Sequence, residues 1–266
     1  MCPDINWNRP LAVQFIRDYV KQAGAEGVVL GVSGGIDSAV CLALATEALG
    51  SDKVWTMWLP YYKEDSEDVD HVLEACGKPQ HIRFPISTFV DSAIDLLGGA
   101  SAVSKLRQGN IMARSRMMFL YDLAKLKNLL VLNTSNLTET LTGYFTKWGD
   151  GAGDIAPIGN IYKYEVRALA RELNVPDQII SKAPSAGLWE GQTDEDELGI
   201  SYEDLDDILE GIEAIAKSDI PINAFTTQVR LVSEHGIDKI DHVLKLIQTS
   251  SHKRQRIPNP KIWCKL

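Results

Sequence analysis

The run Gly31-Val32-Ser33-Gly34-Gly35-Ile36-Asp37-Ser38 packs three glycines, two serines and one carboxylate into eight residues. It follows the apolar stretch Val28-Val29-Leu30, which reads as a buried strand. It precedes Ala39-Val40-Cys41-Leu42-Ala43-Leu44-Ala45, which reads as a helix. A strand, a Ser/Gly turn and a helix N-terminus together make a phosphate cradle. The glycines let backbone approach an anion, and the first helical N–H groups carry partial positive charge. No Gly-Lys-Ser/Thr closes the run, so it is not a Walker A loop. Asp37 stands where that lysine would be. A carboxylate beside a phosphate calls for a cation between them, which makes Asp37 a candidate magnesium ligand. The bland alternative is an ordinary turn capped by Ser33 or Asp37, but packing needs alone seldom produce this pattern after a strand.

A second constellation lies about a hundred residues on, in Asn133-Thr134-Ser135-Asn136-Leu137-Thr138-Glu139 and Gly143-Tyr144-Phe145-Thr146-Lys147-Trp148-Gly149-Asp150-Gly151-Ala152-Gly153-Asp154. Thr134 ends a strand-like run and should reach the same crevice as the first loop. Glu139, one turn into the following helix, could complete an oxygen-ligand site for magnesium opposite Asp37. Lys147, in a glycine-bordered loop, offers a point charge for a phosphate or an oxyanion. Asp150 and Asp154 could accept from a sugar hydroxyl or attract an ammonium ion. Singly each has a plainer reading, as a solvated helix residue, a surface lysine or a turn. Together they are harder to dismiss.

The elements that must position these residues follow from periodicity. Strand-like runs at 54–59, 81–85 and 129–132 alternate with helical patterns at 66–76, 87–97 and 105–125. That spacing predicts an α/β protein with a single doubly wound parallel sheet and helices on both faces. Ligands in such sheets sit beyond the carboxyl ends of the strands, where the first loop lies. Residues 187–199, rich in Gly, Asp, Glu and Thr, read as a mobile loop. The acidic run Asp204–Asp207, with Glu203 and Glu210, reads as a solvated helix face. No domain boundary stands out, so residues 1–266 are expected to form one domain.

Composition narrows the class. The chain is 45% hydrophobic, enough for a full core, and carries a net charge of −9, which argues against a nucleic-acid partner. No signal pattern or membrane span is evident, and a cytoplasmic location is expected. Cys2, Cys41, Cys76 and Cys264 show no Cys-x-x-Cys spacing and read as reduced thiols. His71, His81, His235 and His242 share no metal-ligand spacing.

The first motif resembles the pyrophosphate-binding loop of the ATP pyrophosphatase superfamily, whose fold is adenine nucleotide alpha hydrolase-like. From about residue 15 to 261 the chain closely resembles the NAD synthetase family, in particular its short, ammonia-dependent form. Besides the two motifs above, Asn110-Ile111-Met112-Ala113-Arg114-Ser115-Arg116-Met117, Pro184-Ser185-Ala186-Gly187-Leu188, Glu197-Leu198-Gly199-Ile200-Ser201-Tyr202 and Ser251-His252-Lys253-Arg254 carry the likeness. The resemblance implies that Gly31, Val32, Ser33, Gly34, Gly35, Ile36, Asp37 and Ser38 hold the ATP phosphates and that Asp37 and Glu139 bind Mg2+. It further implies that Thr134, Lys163 and Ser185 contact ATP. Arg114, Lys147, Asp154, His252 and Lys253 would contact deamido-NAD, and Asp150 would lie near the reacting carboxylate. Catalysis would fall to Asp37, Lys147 and Asp150. Ser185 stands where many relatives carry threonine, and either hydroxyl can donate to a phosphate. Asn133 stands where relatives centre on glycine, and its side chain is expected to crowd the backbone.

The reaction so implied adenylates the nicotinate carboxylate of deamido-NAD, releases pyrophosphate and lets ammonia displace AMP. The resemblance also implies a homodimer, and the apolar patterning of residues 111–126 exceeds what one solvent-facing helix needs. Free ammonia rather than glutamine is the expected donor, because 30 residues before Gly31 are too few for a glutaminase domain and Cys2 alone lacks a pocket, base and oxyanion donors. Rival readings are a tRNA-modifying adenylase, expected to be basic with paired cysteines, and a non-catalytic nucleotide sensor, expected to lack Asp37, Glu139 or Lys147.

Overall fold

Three consecutive apolar residues in the first strand settle the architecture. In a computed structural model, β1 (Gly27–Gly31) carries Val28, Val29 and Leu30 with no exposed surface. A strand covered on both faces reads as a continuous apolar run, which is the signature of a parallel sheet lined by helices. Side chains alternate across a strand, so Val28 and Leu30 enter one core and Val29 the other. The structure describes residues 8–62, 67–185, 187, 189, 191–216 and 234–255.

β1 is flanked by β2 (Val54–Trp58) and β4 (Leu129–Val131), and β3 (Gln80–Arg83) pairs with β2, giving the order β3-β2-β1-β4 with every pairing parallel. The bridge between Leu132 and Ile155 extends the β4 edge. The chain winds outward from β1 through β2 to β3 and then returns to β1's other side. The reversal of strand order falls between β1 and β4, where doubly wound sheets open their ligand crevice.

α1 (Arg9–Ala23), α2 (Ile36–Leu49) and α7 (Lys163–Glu172) cover one face, with α3 (Glu67–Ala75) and α8 (Asp177–Ser181) at its margin. α2 is apolar around most of its circumference, as a helix packed between sheet and further helices must be. α4 (Ser87–Leu96) and α5 (Lys105–Lys127) cover the other face through Val90, Ile94, Met112 and Leu123. α6 (Leu137–Thr142), α9 (Asp194–Leu198), α10 (Tyr202–Ala216) and α11 (Ile237–Arg254) gather around a third apolar cluster that includes Leu205, Ile208, Ile240 and Val243.

The predicted strands and helices match the observed ones within a few residues. The stretch 187–199 is not a loop throughout, since it contains α9, capped by the Thr193 hydroxyl that accepts from Asp196 N. Among the described residues, no helix is long and apolar enough to cross a membrane. Cys41 and Cys76 are free thiols; Cys2 and Cys264 lie outside the described residues.

Candidate active site

The cradle forms as the strand–turn–helix pattern requires. β1 delivers the chain into residues 32–35, and α2 begins at Ile36 with Gly35 as its N-cap. Neither Ser33 nor Asp37 caps the helix, because no side chain bonds its first N–H groups. The serines instead shape the loop. Ser33 Oγ accepts from Gly35 N at 3.2 Å, and Ser38 Oγ donates to Gly35 O at 3.0 Å. Gly34 has φ +73°, and a Cβ there would stand 2.9 Å from Asp68 Cβ, so glycine is required twice over. The result is an uncapped helix N-terminus at the crevice mouth, a ready anion site.

Facing it is a buried ion cluster. β4 runs into residues 133–136, and Asn136 opens α6 with a capping box: its Oδ1 accepts from Glu139 N at 2.9 Å, and Glu139 Oε2 accepts from Asn136 N at 3.3 Å. Asn136 Nδ2 also donates to Asp37 Oδ1 at 2.9 Å, so one fully buried amide ties the two candidate magnesium ligands together. Lys163, the first residue of α7 and 2% exposed, places Nζ 2.5 Å from Asp37 Oδ2 and 3.7 Å from Glu139 Oε1. Its ammonium also lies 5.1 Å from the Tyr202 ring centre, and the Tyr202 hydroxyl donates to Asp194 at 3.0 Å.

Charge in this cluster is unbalanced. Burial would depress the Lys163 ammonium, but Asp37 and Glu139 outweigh it and hold its pKa above the usual lysine value. Burial and the Asp37 charge push the Glu139 carboxyl up to about 8 against the pull of Lys163. Burial likewise raises Asp194, opposed by Lys163 and the Tyr202 and Tyr144 hydroxyls. Three acids thus share one lysine. Asp37 and Glu139 are hard oxygen donors with lone pairs to spare, and a divalent cation would relieve the excess charge. Among the described residues, no three metal-binding side chains gather at one point. Magnesium fits that arrangement, since it takes one or two carboxylates and completes its shell with water and phosphate oxygens.

A second group of expected residues meets at the other end of α6. Lys147 Nζ donates to His252 O at 2.6 Å, and Lys253 Nζ donates to the carbonyls of Gly143 and Phe145, both at 2.7 Å. Arg114, on α5, reaches Lys147 O at 3.3 Å. Asp150 Oδ1 accepts from Thr146 N at 3.0 Å and closes the lysine loop on itself. Asp154 Oδ2 accepts from Val131 N at 2.7 Å beside β4. Arg114, Lys147, Asp150, His252 and Lys253 are therefore assembled around one loop. Ser185 is not joined to the Asp37 cluster; it is exposed and donates to Gln192 O at 2.7 Å. Thr134 follows β4, half-buried.

Sequence reasoning missed three residues. Asn136 and Asp194 were legible only as parts of longer runs. Asn133, expected to crowd the backbone, organises it: its Nδ2 donates to Asp150 O at 2.9 Å and Ala152 O at 3.2 Å, and its Oδ1 accepts from Ser135 N at 2.9 Å. Gly153 opposite makes the room, because a Cβ there would lie 2.5 Å from Asn133 Cβ. The acidic stretch of α10 is also not a uniformly solvated face, since Asp206 is 2% exposed.

Residues 10–257 match the NAD synthase family. The chain belongs to that family. It is 45% identical over 251 residues to the NH(3)-dependent NAD(+) synthetase of Pyrococcus furiosus, with 92% of each chain covered. Among solved structures it is similar to the NMN synthetase of Francisella tularensis, with a TM-score of 0.79, 32% identity and coverage of 97% of this chain and 100% of the other. It is also similar to the NH3-dependent NAD synthetase of Campylobacter jejuni, with a TM-score of 0.76, 27% identity and coverage of 95% and 97%. These likenesses agree with the α/β fold expected from the strand–helix alternation.

The Asn133–Gly153 packing gives this NAD synthase fold a testable joint. Gly153→Ala forces a methyl into Asn133 and should cost about 1–3 kcal/mol, as overpacking typically does. Urea unfolding of the variant beside wild type measures that loss. An unchanged midpoint would show that the 150–154 loop shifts freely.

Proposed function

We propose that this chain catalyses ATP-dependent amidation of deamido-NAD by ammonia, giving NAD, AMP and pyrophosphate through an acyl-adenylate. The carrying observation is the uncapped N-terminus of α2 set against the Asp37–Glu139–Lys163 cluster at the strand-order reversal. Adenylation is needed because a free carboxylate is a poor acylating agent. The nicotinate carboxylate attacks the α-phosphorus of ATP and the bond to the β-phosphate oxygen breaks. Pyrophosphate departs toward the residue 31–38 cradle, where backbone N–H groups meet its developing charge. Ammonia then attacks the acyl carbon and AMP leaves with the carboxylate's former oxygen.

Asp37 and Glu139 would hold magnesium, which supplies charge neutralisation to the leaving pyrophosphate. Lys163 holds the two carboxylates in place through its ammonium, and with Thr134 and Ser185 it would border the ATP subsite. Arg114, Lys147, Asp154, His252 and Lys253 would receive deamido-NAD, with Asp150 near the reacting carboxylate. A solvent-excluding cover over the intermediate suits the acidic segment that carries Asp194, already bonded to Tyr144 and Tyr202. Ammonia rather than glutamine is favoured because the Pyrococcus furiosus and Campylobacter jejuni relatives, matched over nearly their whole length, are named NH3-dependent. The unit acts as a single domain in the cytoplasm, without nucleic-acid or membrane partners.

A homodimer is part of the proposal. α5 spends Met112, Leu123 and Ala124 on the internal core, so only part of its apolar pattern is left over. Met118 (40%) and Leu126 (73%) remain exposed on α5, and Phe84 (43%) and Phe89 (44%) are exposed with their rings packed on Phe119 of the same helix. Exposed apolar side chains on and against one helix suit a self-complementary interface.

Two experiments test the reading. Purified chain given ATP, Mg2+, deamido-NAD and ammonium should form NAD, AMP and pyrophosphate in equal amounts, seen by mass spectrometry. Asp37→Ala should lower turnover at least about a thousandfold, by losing a ligand to the cation opposite the leaving group. Near-normal turnover in folded Asp37→Ala would remove the metal role, and preference for nicotinic acid mononucleotide or glutamine would overturn the substrate or donor. For assembly, sedimentation at micromolar concentration should show a dimer that Met118→Glu with Phe89→Glu converts to monomer. A fully active wild-type monomer would refute the dimer.

A further inference from the structure

Asp206 is a buried carboxylate in a stretch of α10 whose other acids reach solvent. Glu203 and Asp207 are exposed, whereas Asp206 is 2% exposed. A charge is tolerated at such a depth only when it is hydrogen-bonded. Its Oδ1 accepts from Thr138 Oγ1 at 2.5 Å and its Oδ2 accepts from Tyr164 N at 2.9 Å. Thr138 Oγ1 in turn accepts from Lys163 N at 3.0 Å. Lys163 and Tyr164 are the first two residues of α7, so these are two of the N–H groups that a helix leaves unpaired. The N-cap position is held by Tyr162, not by one of the residues that cap well. The Asp206–Thr138 pair therefore caps α7 from outside the helix, with its negative charge at the positive end of the dipole.

The two residues so fixed matter to the site. Lys163 sends its ammonium to Asp37 and Glu139, and Thr138 is the residue before Glu139 in the first turn of α6. One carboxylate on α10 thus joins the start of α7 to α6, beside the backbone bond from Leu137 N to Ile161 O and the bonds of the Tyr162 and Tyr164 hydroxyls to Glu213 and Glu210. The Asp206–Thr138 pair engages the Lys163 and Tyr164 amides from α6 and α10 at once. We propose that Asp206, acting through Thr138, is a positioning residue for the amidation reaction, holding Lys163 and Glu139 in register against Asp37. It touches no reacting atom. The inference rests on the functional reading above and adds a residue to it.

The test compares Asp206→Asn, Thr138→Val and Thr138→Ser with wild type, measuring kcat and KM for ATP and deamido-NAD together with melting temperature. Asn is isosteric but cannot accept from both partners without turning its NH2 toward one donor. Val keeps the shape of Thr138 and loses the hydroxyl, whereas Ser keeps it. Asp206→Asn and Thr138→Val should each lower kcat at least tenfold with KM for deamido-NAD within threefold. Thr138→Ser should retain kcat within threefold, and the double variant should be no slower than the worse single, because both break one linkage. A folded Asp206→Asn with kcat within twofold of an active wild type would overturn the positioning role alone. So would equal losses in Thr138→Ser and Thr138→Val, or additive losses in the double variant. Should Asp206→Asn fail to fold, the Thr138 pair reads the same linkage. An inactive wild type would overturn the functional reading and this inference with it.

Discussion

The buried ammonium of Lys163 is the constraint around which the crevice is built. A lysine at 2% exposure is rare and survives only with partners close by. Its partners come from separate parts of the chain: Asp37 from α2, Glu139 from α6, and Asp194 with Tyr202 from the α9–α10 region. Desolvating one cation next to several acids fixes all of them, because moving any acid away leaves a buried charge short of its partner. Asn136 closes the arrangement from behind, spending its two side-chain ends on Asp37 and on the α6 backbone.

The sheet order is what makes this convergence cheap. β1 and β4 are neighbours although they are separated by about a hundred residues, so the turns leaving them open side by side. The turn after β1 starts α2, and the turn after β4 starts α6, which places Asp37 and Asn136 within one hydrogen bond. α7 then packs against α2 in the same apolar layer and brings its first residue to the same spot. The helical cluster formed by α10 and α11 is an addition to that sheet rather than part of it, and it reaches the site through Tyr202 and Asp206.

What could be read from sequence was whatever is local. The 31–38 run announces its own turn and helix start, and Val28-Val29-Leu30 announces a covered strand, because period and turn chemistry live within a few residues. The pairing of Asp37 with Glu139 was reachable because both follow strands of one predicted sheet. Asp206 was not reachable. In the sequence it is one acid among several, and only the arrival of Thr138 and the start of α7 separates it from exposed Asp207. Asn133 was misjudged for the same reason: the space it needs is made by Gly153, a residue distant enough that its lack of a side chain cannot be connected to Asn133 without the fold.

The remaining link is between the two ends of α6. Its N-terminal end carries Glu139 at the ion cluster, and its C-terminal end runs through Gly143 into the Lys147 loop. Six residues of helix span only about 9 Å. The proposed ATP and dinucleotide subsites would therefore lie at two ends of one short rod, which suits a reaction that joins the two substrates. The C-terminal end is held by α11, where Arg254 donates to Leu141 O at 2.6 Å and Lys253 to Gly143 O at 2.7 Å. These bonds satisfy helix-end carbonyls with cations, as the dipole favours. An arriving phosphate would compete with neutral carbonyls for Lys147 and Lys253, and a full negative charge is the stronger acceptor for an ammonium. In the proposed reading Lys253, holding the end of α6, and Lys147, holding the following loop to α11, would both be available to an anionic substrate next to the helix that carries Glu139.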